Sequence, residues 1–310
     1  MTDHDAADPH AGPADGPPPW IDPTMQQHIG WRDGDIVISV PAKSGTTWTM
    51  NIVHQLRSGG DPGFDDIYGK VPWLEFVPRP DSDRDAIAAS FDAMPAEPRR
   101  AFKTHSAPEA LPYQTPGVGP DVKYVVVVRN PDEALASLRP FIAAHSDAWF
   151  ELWGAPRDAV VGPDMAAFFA GAGGGMVFGT FAFIDAWWPR RHEPNVLMLH
   201  YADMSADPEG AVRRIGDFLG FEVPEDRWAT IVEYTSFAWM KANEDKFELR
   251  SVSDVPILDP GAMIRKGRVG AAREDGVTSE MSAAIAELGG QIVTDPRALD
   301  WAYRGGPLPS

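Results

Sequence analysis

The chain has 310 residues, and 45 acidic against 27 basic side chains give it a formal net charge of −18 at pH 7. That surplus argues against broad nucleic-acid or anionic-membrane binding, which call for a basic surface, yet a local basic pocket for a small anion remains open. Zero cysteines exclude disulfides, thiolate metal sites and a cysteine nucleophile, and a hydrophobic share of 44% is enough for a sizeable core.

In chain order, residues 1–19 are, after Met1 and Thr2, Pro, Gly, Ala, Asp and His and end in Pro17-Pro18-Pro19, the composition of a disordered or loosely attached tail. Arg32 is the first Lys or Arg, so no signal or transit peptide is expected. No apolar run approaches the roughly 18–20 residues that span a bilayer. Ile36 to Val40 reads as a buried parallel strand. Thr46 to Arg57 follows as a helix with Trp48, Ile52 and Leu56 on one face, stopped at Ser58-Gly59-Gly60. Ala101 to Thr104 is a weaker strand, and Tyr124 to Val128 the strongest. Asn130 can cap, and Pro131 begin, a helix running through Leu138. The aromatic-rich segment 141–188 contains Gly171-Ala172-Gly173-Gly174-Gly175, which reads as a flexible hinge or loop. Val196 to His200 is a further strand, and Asp207-Pro208 opens a helix ending near Leu219-Gly220. Arg304 to Ser310 reads as a second loose tail. This alternation predicts one α/β domain over 20–303, with a central, mostly parallel sheet flanked by helices.

The sharpest feature is Pro41-Ala42-Lys43-Ser44-Gly45-Thr46-Thr47-Trp48, between a buried strand and an amphipathic helix. Such a turn presents backbone N–H groups and the positive end of a helix to an anion. Gly45 allows close approach, Ser44, Thr46 and Thr47 add hydroxyl donors, and Lys43 adds charge. The pattern GxxxxGK[ST] is absent, because the lysine precedes the glycine.

This loop resembles the 5′-phosphosulfate loop of the cytosolic-type sulfotransferases, which reads Pro-Lys-Ser-Gly-Thr-Thr-Trp. The resemblance continues in family order. Lys103-Thr104-His105 with Leu111-Pro112, Arg129 with Ser137 eight residues on, Tyr201-Ala202-Asp203-Met204 with Asp207-Pro208, Thr235-Ser236-Phe237 with Met240-Lys241, and Arg265-Lys266-Gly267 with Gly270 are all similar to family segments. It implies a P-loop-like fold and 3′-phosphoadenosine-5′-phosphosulfate as donor, with no metal. A sulfuryl group would pass in line to a hydroxyl or amine of a small acceptor, such as a partly apolar alcohol or phenol. It further implies His105 as general base, a task suited to imidazole, with Lys43 at the bridging oxygen and Lys103 at the transferring group. Arg129 and Ser137 would clamp the 3′-phosphate, as a guanidinium fork suits a phosphate dianion. Trp48 would stack on adenine opposite Phe237, Tyr201 or Thr235 would meet the base's edge, and Arg265, Lys266 and Gly267 would close over the 3′-phosphate.

Three points depart from the family. Gly270 is followed by Ala271-Ala272-Arg273 where Asp-Trp-Lys is usual, so Arg273 stands where a lysine is expected. The family's dimer segment is only weakly echoed over 273–280, which leaves a homodimer in doubt. The segment 141–188 is the least familiar and the most aromatic; with Tyr68 to Pro80 it could form an apolar acceptor pocket, in which Trp149 and Phe150 would set acceptor preference. Two alternatives stay open: a P-loop nucleotide kinase, against which Arg129 stands where such enzymes carry a strand-end Asp for Mg²⁺, and a non-catalytic adenosine bisphosphate-binding protein. A cytoplasmic location is expected, since the activated donor is made inside the cell.

Overall fold

The computed structural model describes residues 18–310; the expected tail lies, as far as residue 17, outside the described residues. Strands β1 (Ile36–Ser39), β2 (Ala101–Thr104), β3 (Lys123–Val128) and β4 (Val196–His200) form one sheet in the order β2-β1-β3-β4, every pair parallel. The register sets Ser39 level with Thr104 on one side and Val126 on the other.

Alternation along the strands explains why both faces are covered. Ile36, Ile38, Val125, Val127, Leu197 and Leu199 point into one core, and Val37, Tyr124, Val126, Val128, Val196 and Met198 into the other. The first core is closed by helices α1 (Thr46–Ser58) and α4 (Pro208–Leu219). The second is closed by α2 (Pro131–Ala143), α3 (Gly174–Trp187), α6 (Ser279–Ile292) and α7 (Pro296–Arg304). A short helix α5 (Phe237–Ala242) follows α4 in the chain. Asn130 caps α2 by accepting from the Asp132 and Glu133 amides, with Pro131 at the first turn.

The chain leaves β1 for β2 on one side and then for β3 on the other. In an open parallel sheet this opens a crevice at the carboxyl end of the central strand. The loop after β1, His105 after β2, Arg129 after β3 and Tyr201 after β4 all emerge at that edge.

Three sequence expectations are corrected. The run Gly171–Gly175 is not a loop; it lies inside a helical stretch, a π turn over Phe169–Gly173 leading into α3. Each glycine costs about 1 kcal/mol there relative to alanine, but the burial of Phe168, Val177, Phe181, Ile184 and Trp187 on either side holds the stretch helical, and within Phe169–Gly173 the departure from helical dihedrals is at Gly171, whose φ −110, ψ −122 make a kink. The resulting helical stretch Met165–Arg190, 26 residues, is long and apolar enough by length and composition to cross a membrane, contrary to the expectation of no such run. Its buried residues, among them Phe168, Phe181, Ile184 and Trp187, pack into the second core. The C-terminal stretch is docked rather than loose: the Gly306 amide donates to Asp203 Oδ2 at 2.7 Å, Trp301 Nε1 to the Gly306 carbonyl at 2.9 Å and Arg191 Nε to the Pro309 carbonyl at 3.1 Å.

Candidate active site

The loop after β1 wraps because two residues leave the ordinary backbone regions. Gly45, at the α1 N-terminus, has φ +101, and a Cβ there would lie 2.8 Å from Tyr201 Cδ2. Only glycine allows that conformation and that approach. Lys43 takes φ +62 without being glycine, a cost of order 1 kcal/mol or more that tends to persist where function holds it. Ser44 Oγ and Thr46 Oγ1 are buried without a hydrogen-bond partner. Unpartnered buried hydroxyls at a helix N-terminus are what an incoming anion would satisfy.

One cavity of about 630 Å³ opens at this edge of the sheet, within the size range of small-molecule sites. All the residues expected to hold the donor or carry the transfer line it except Ser44, whose side chain is buried. The cavity has two arms. In one, Trp48 forms a wall: its Nε1 donates to the Thr235 carbonyl at 2.9 Å, and its ring meets Tyr201 edge-on at 5.8 Å. Phe237 stands 43% exposed nearby, free for a planar ligand. Gly267 (φ +59) passes so close to Phe237 that a Cβ would sit 2.1 Å from its ring. Arg129, between β3 and α2, and Glu133 and Ser137, one turn apart on α2, all face the cavity. Arg129 donates to the carbonyls of Lys43 (3.1 Å) and Arg268 (3.3 Å) and pairs with Glu133 at 3.2 Å. Glu133 also accepts from the Gly270 amide at 2.5 Å. Arg265 and Lys266 both pair with Asp275, which lines the same arm. Burial raises the Asp275 carboxyl, but hydrogen bonds from Arg265 and Lys266 outweigh this and hold it below the usual carboxylate range.

The other arm holds Lys103, His105 and Trp73. Lys103 Nζ lies 2.8 Å from His105 Nε2 and 2.8 Å from the centre of the Trp73 ring. His105 Nδ1 is 2.6 Å from the Val40 carbonyl. A carbonyl can only accept, so the proton is on Nδ1 and the Nε2 lone pair accepts from Lys103. Burial, then the Lys103 charge, pushes His105 well below the ordinary imidazole range, so it is neutral at pH 7. Burial likewise pushes Lys103 down, opposed by Glu75. Between the arms, Lys43 Nζ sits 3.8 Å from the centre of the Phe141 ring. Burial, with Arg129 and Arg265 nearby, lowers it to about 7. The arrangement supplies a neutral imidazole, two lysine side chains and a cationic cleft beside an aromatic wall.

Of the expected apolar pocket, Tyr68, Trp73 and Phe141 line the cavity. Trp149 and Phe150 do not. Trp149 is 1% exposed and packs on Trp20, Phe76 and Trp153, so it belongs to the core and the expected role in acceptor preference is withdrawn. Sequence reading missed Glu133, Asp275 and Glu75. The first was findable as an i,i+4 partner of Arg129 and the last as the one acid inside the apolar run Val71–Val77. Asp275 carries no local signal for its contacts ten residues back.

Residues 33–294 match the family described as sulfotransferase domain. Sulfotransferase 1A1 of Rattus norvegicus is 31% identical over 227 residues, covering 71% of this chain and 70% of that protein. A glycolipid sulfotransferase of Mycobacterium tuberculosis is 30% identical over 252 residues, covering 70% and 74%. Among solved structures, retinol dehydratase in complex with retinol and PAP superposes with a TM-score of 0.68 at 20% identity, over 88% of this chain and 86% of that one. A mouse sulfotransferase complexed with PAP gives 0.64 at 20% identity, over 91% and 92%. At such identity the superpositions speak for a shared fold.

Proposed function

The chain belongs to the sulfotransferase domain family, and from that premise we propose that it moves a sulfuryl group from 3′-phosphoadenosine-5′-phosphosulfate to a hydroxyl of a small, partly apolar acceptor. One observation carries this: the loop 41–48, Lys103 with His105, Arg129 with Ser137, and Arg265–Gly267 come from four distant parts of the chain and line one cavity. The solved relatives that share the fold hold PAP, and the Trp48–Phe237 arm with its phosphate-sized cation cluster suits the same nucleotide.

The residues divide the work as follows. The loop amides, the Thr46 and Thr47 hydroxyls and Lys43 hold the 5′ end and neutralise charge on the leaving phosphate. Arg129 and Ser137, with Arg265, Lys266 and the Gly267 backbone, hold the 3′-phosphate. Trp48 takes the adenine face, Phe237 the other, and Tyr201 and Thr235 its edge. Tyr68, Trp73 and Phe141 bound the acceptor arm. His105 receives the acceptor's proton on Nε2, with Nδ1 kept protonated by the Val40 carbonyl. Before it can do so, Lys103 must release Nε2. Negative charge brought in by the donor draws the Lys103 ammonium toward the transferring oxygens, which frees the lone pair in the state where it is needed. The reading places the protein in the cell interior, where the activated donor is made.

The test separates binding from transfer. His105→Ala should bind adenosine 3′,5′-bisphosphate as the unmodified chain does, yet lose about 10²–10⁴-fold in turnover, the usual worth of a general base. Full turnover in that variant removes the base assignment.

A further inference from the structure

Beneath the acceptor arm lies a buried acid to which the transfer chemistry above gives no task. Residues Pro72 to Phe76 run beside β2: the Lys103 amide donates to the Pro72 carbonyl at 2.8 Å, the Leu74 amide to the Lys103 carbonyl at 3.0 Å, and Trp73 pairs with Lys103 in parallel register. Alternation then turns Trp73 and Glu75 to the same side, Trp73 against Lys103 and Glu75 against His105. Glu75 is 1% exposed and does not line the cavity. One oxygen accepts from the His105 backbone amide at 2.6 Å; the other is buried with no partner. A carboxylate left half-satisfied in a core is costly and calls for a reason.

We propose that Glu75 is a positioning residue for the transfer: its carboxylate fixes the main chain of the base and serves as the counter-charge beneath the Lys103 ammonium. This deepens, and rests on, the sulfuryl-transfer reading. Lys103 is itself 1% exposed, and a buried ammonium without a compensating charge gives up its proton. His105, just past β2, touches it, and Lys43 on the loop after β1 acts on His105; the negative group acting on Lys103 is Glu75 on the neighbouring segment, which pulls Lys103 back up. Its unpartnered oxygen is explained by this role, since the carboxylate acts on Lys103 through space. Glu75 cannot replace His105 as base, because it has no access to the cavity.

The test uses Glu75→Gln and Glu75→Asp in the full chain, with NMR titration of the Lys103 side chain in the free protein and kinetics with the phosphosulfate donor. Gln keeps an oxygen for the His105 amide and loses the charge; Asp keeps the charge. The expected result is a Lys103 titration lowered by about one pH unit or more in Glu75→Gln and near normal in Glu75→Asp. In Glu75→Gln, kcat should fall about 10–100-fold with the alkaline limb of its pH profile moved down, while adenosine 3′,5′-bisphosphate affinity stays within about twofold. An unmoved Lys103 titration in Glu75→Gln, or bisphosphate affinity falling in step with kcat, overturns the proposal. Should the unmodified chain transfer no sulfuryl group at all, the functional reading fails and the catalytic role of Glu75 with it, while the titration still decides whether Glu75 is the counter-charge of Lys103.

Discussion

Lys43 shows how one side chain ties the fold to the chemistry. It is held at positive φ by the loop, laid on Phe141 and lowered to about 7 by burial and two neighbouring arginines. In the free protein it is therefore half neutral near pH 7 and mostly neutral at pH 8. A bound phosphate favours the ammonium and raises its pKa, so binding takes up a proton in this window. Adenosine 3′,5′-bisphosphate affinity should then fall as pH rises above 7, by up to about tenfold per unit. Calorimetry at pH 8 in buffers of different ionisation heat should register an uptake approaching one proton. Flat affinity from pH 7 to 9 with no proton exchanged would detach Lys43 from the phosphate. The motif residues themselves were legible in the sequence because their types are dictated by local demands: a glycine at positive φ, an arginine at a strand end, a histidine two residues past a buried lysine. Their ionisation was not, since it depends on burial and on charges from elsewhere in the chain.

At the scale of elements, the segment after Gly270 is where the sequence departs from the expected pattern, and it supplies the carboxylates Glu274 and Asp275. Asp275 pairs with Arg265 and Lys266, and Glu274 with Arg268, so in the proposed function a 3′-phosphate would compete with carboxylates already in place. Asp275→Asn should tighten adenosine 3′,5′-bisphosphate binding by about three- to tenfold, with the gain shrinking at high salt. Weaker binding would mean instead that Asp275 aligns the cations for the ligand. The strands were readable because both-face burial leaves continuous apolar runs such as Tyr124 to Val128. The stretch 165–190 was not, because its glycines signal a loop locally and only tertiary packing outweighs them. The aromatics there and in 147–153 looked alike in sequence as core or pocket, and the structure sends Trp149 to the core. Trp149→Ala should cost about 3–5 kcal/mol in denaturant unfolding and leave the ranking of acceptors unchanged. A changed ranking at intact stability would return Trp149 to the pocket.

For the whole molecule, the charge of −18 describes a surface, and the function proposed here depends on the minority charge. Lys43, Lys103, Arg129, Arg265 and Lys266 are scattered over more than 200 positions of sequence, and a parallel sheet brings them to one edge because every strand ends there. That convergence was inferable from the order of the motifs, whereas the carboxylates interleaved with the cations (Glu133, Asp275 and Glu75) became visible only once the chain was folded. The most direct measurement is the stoichiometry of transfer: the purified chain is given 3′-phosphoadenosine-5′-phosphosulfate and a panel of phenols, sterols and alcohols, and both products are quantified by mass spectrometry. Sulfated acceptor and adenosine 3′,5′-bisphosphate should appear in equal amounts, and neither should form with Lys43 and His105 both replaced by alanine. Tight bisphosphate binding with no sulfated product across the panel, or phosphate transfer from ATP and Mg²⁺ instead, would contradict it.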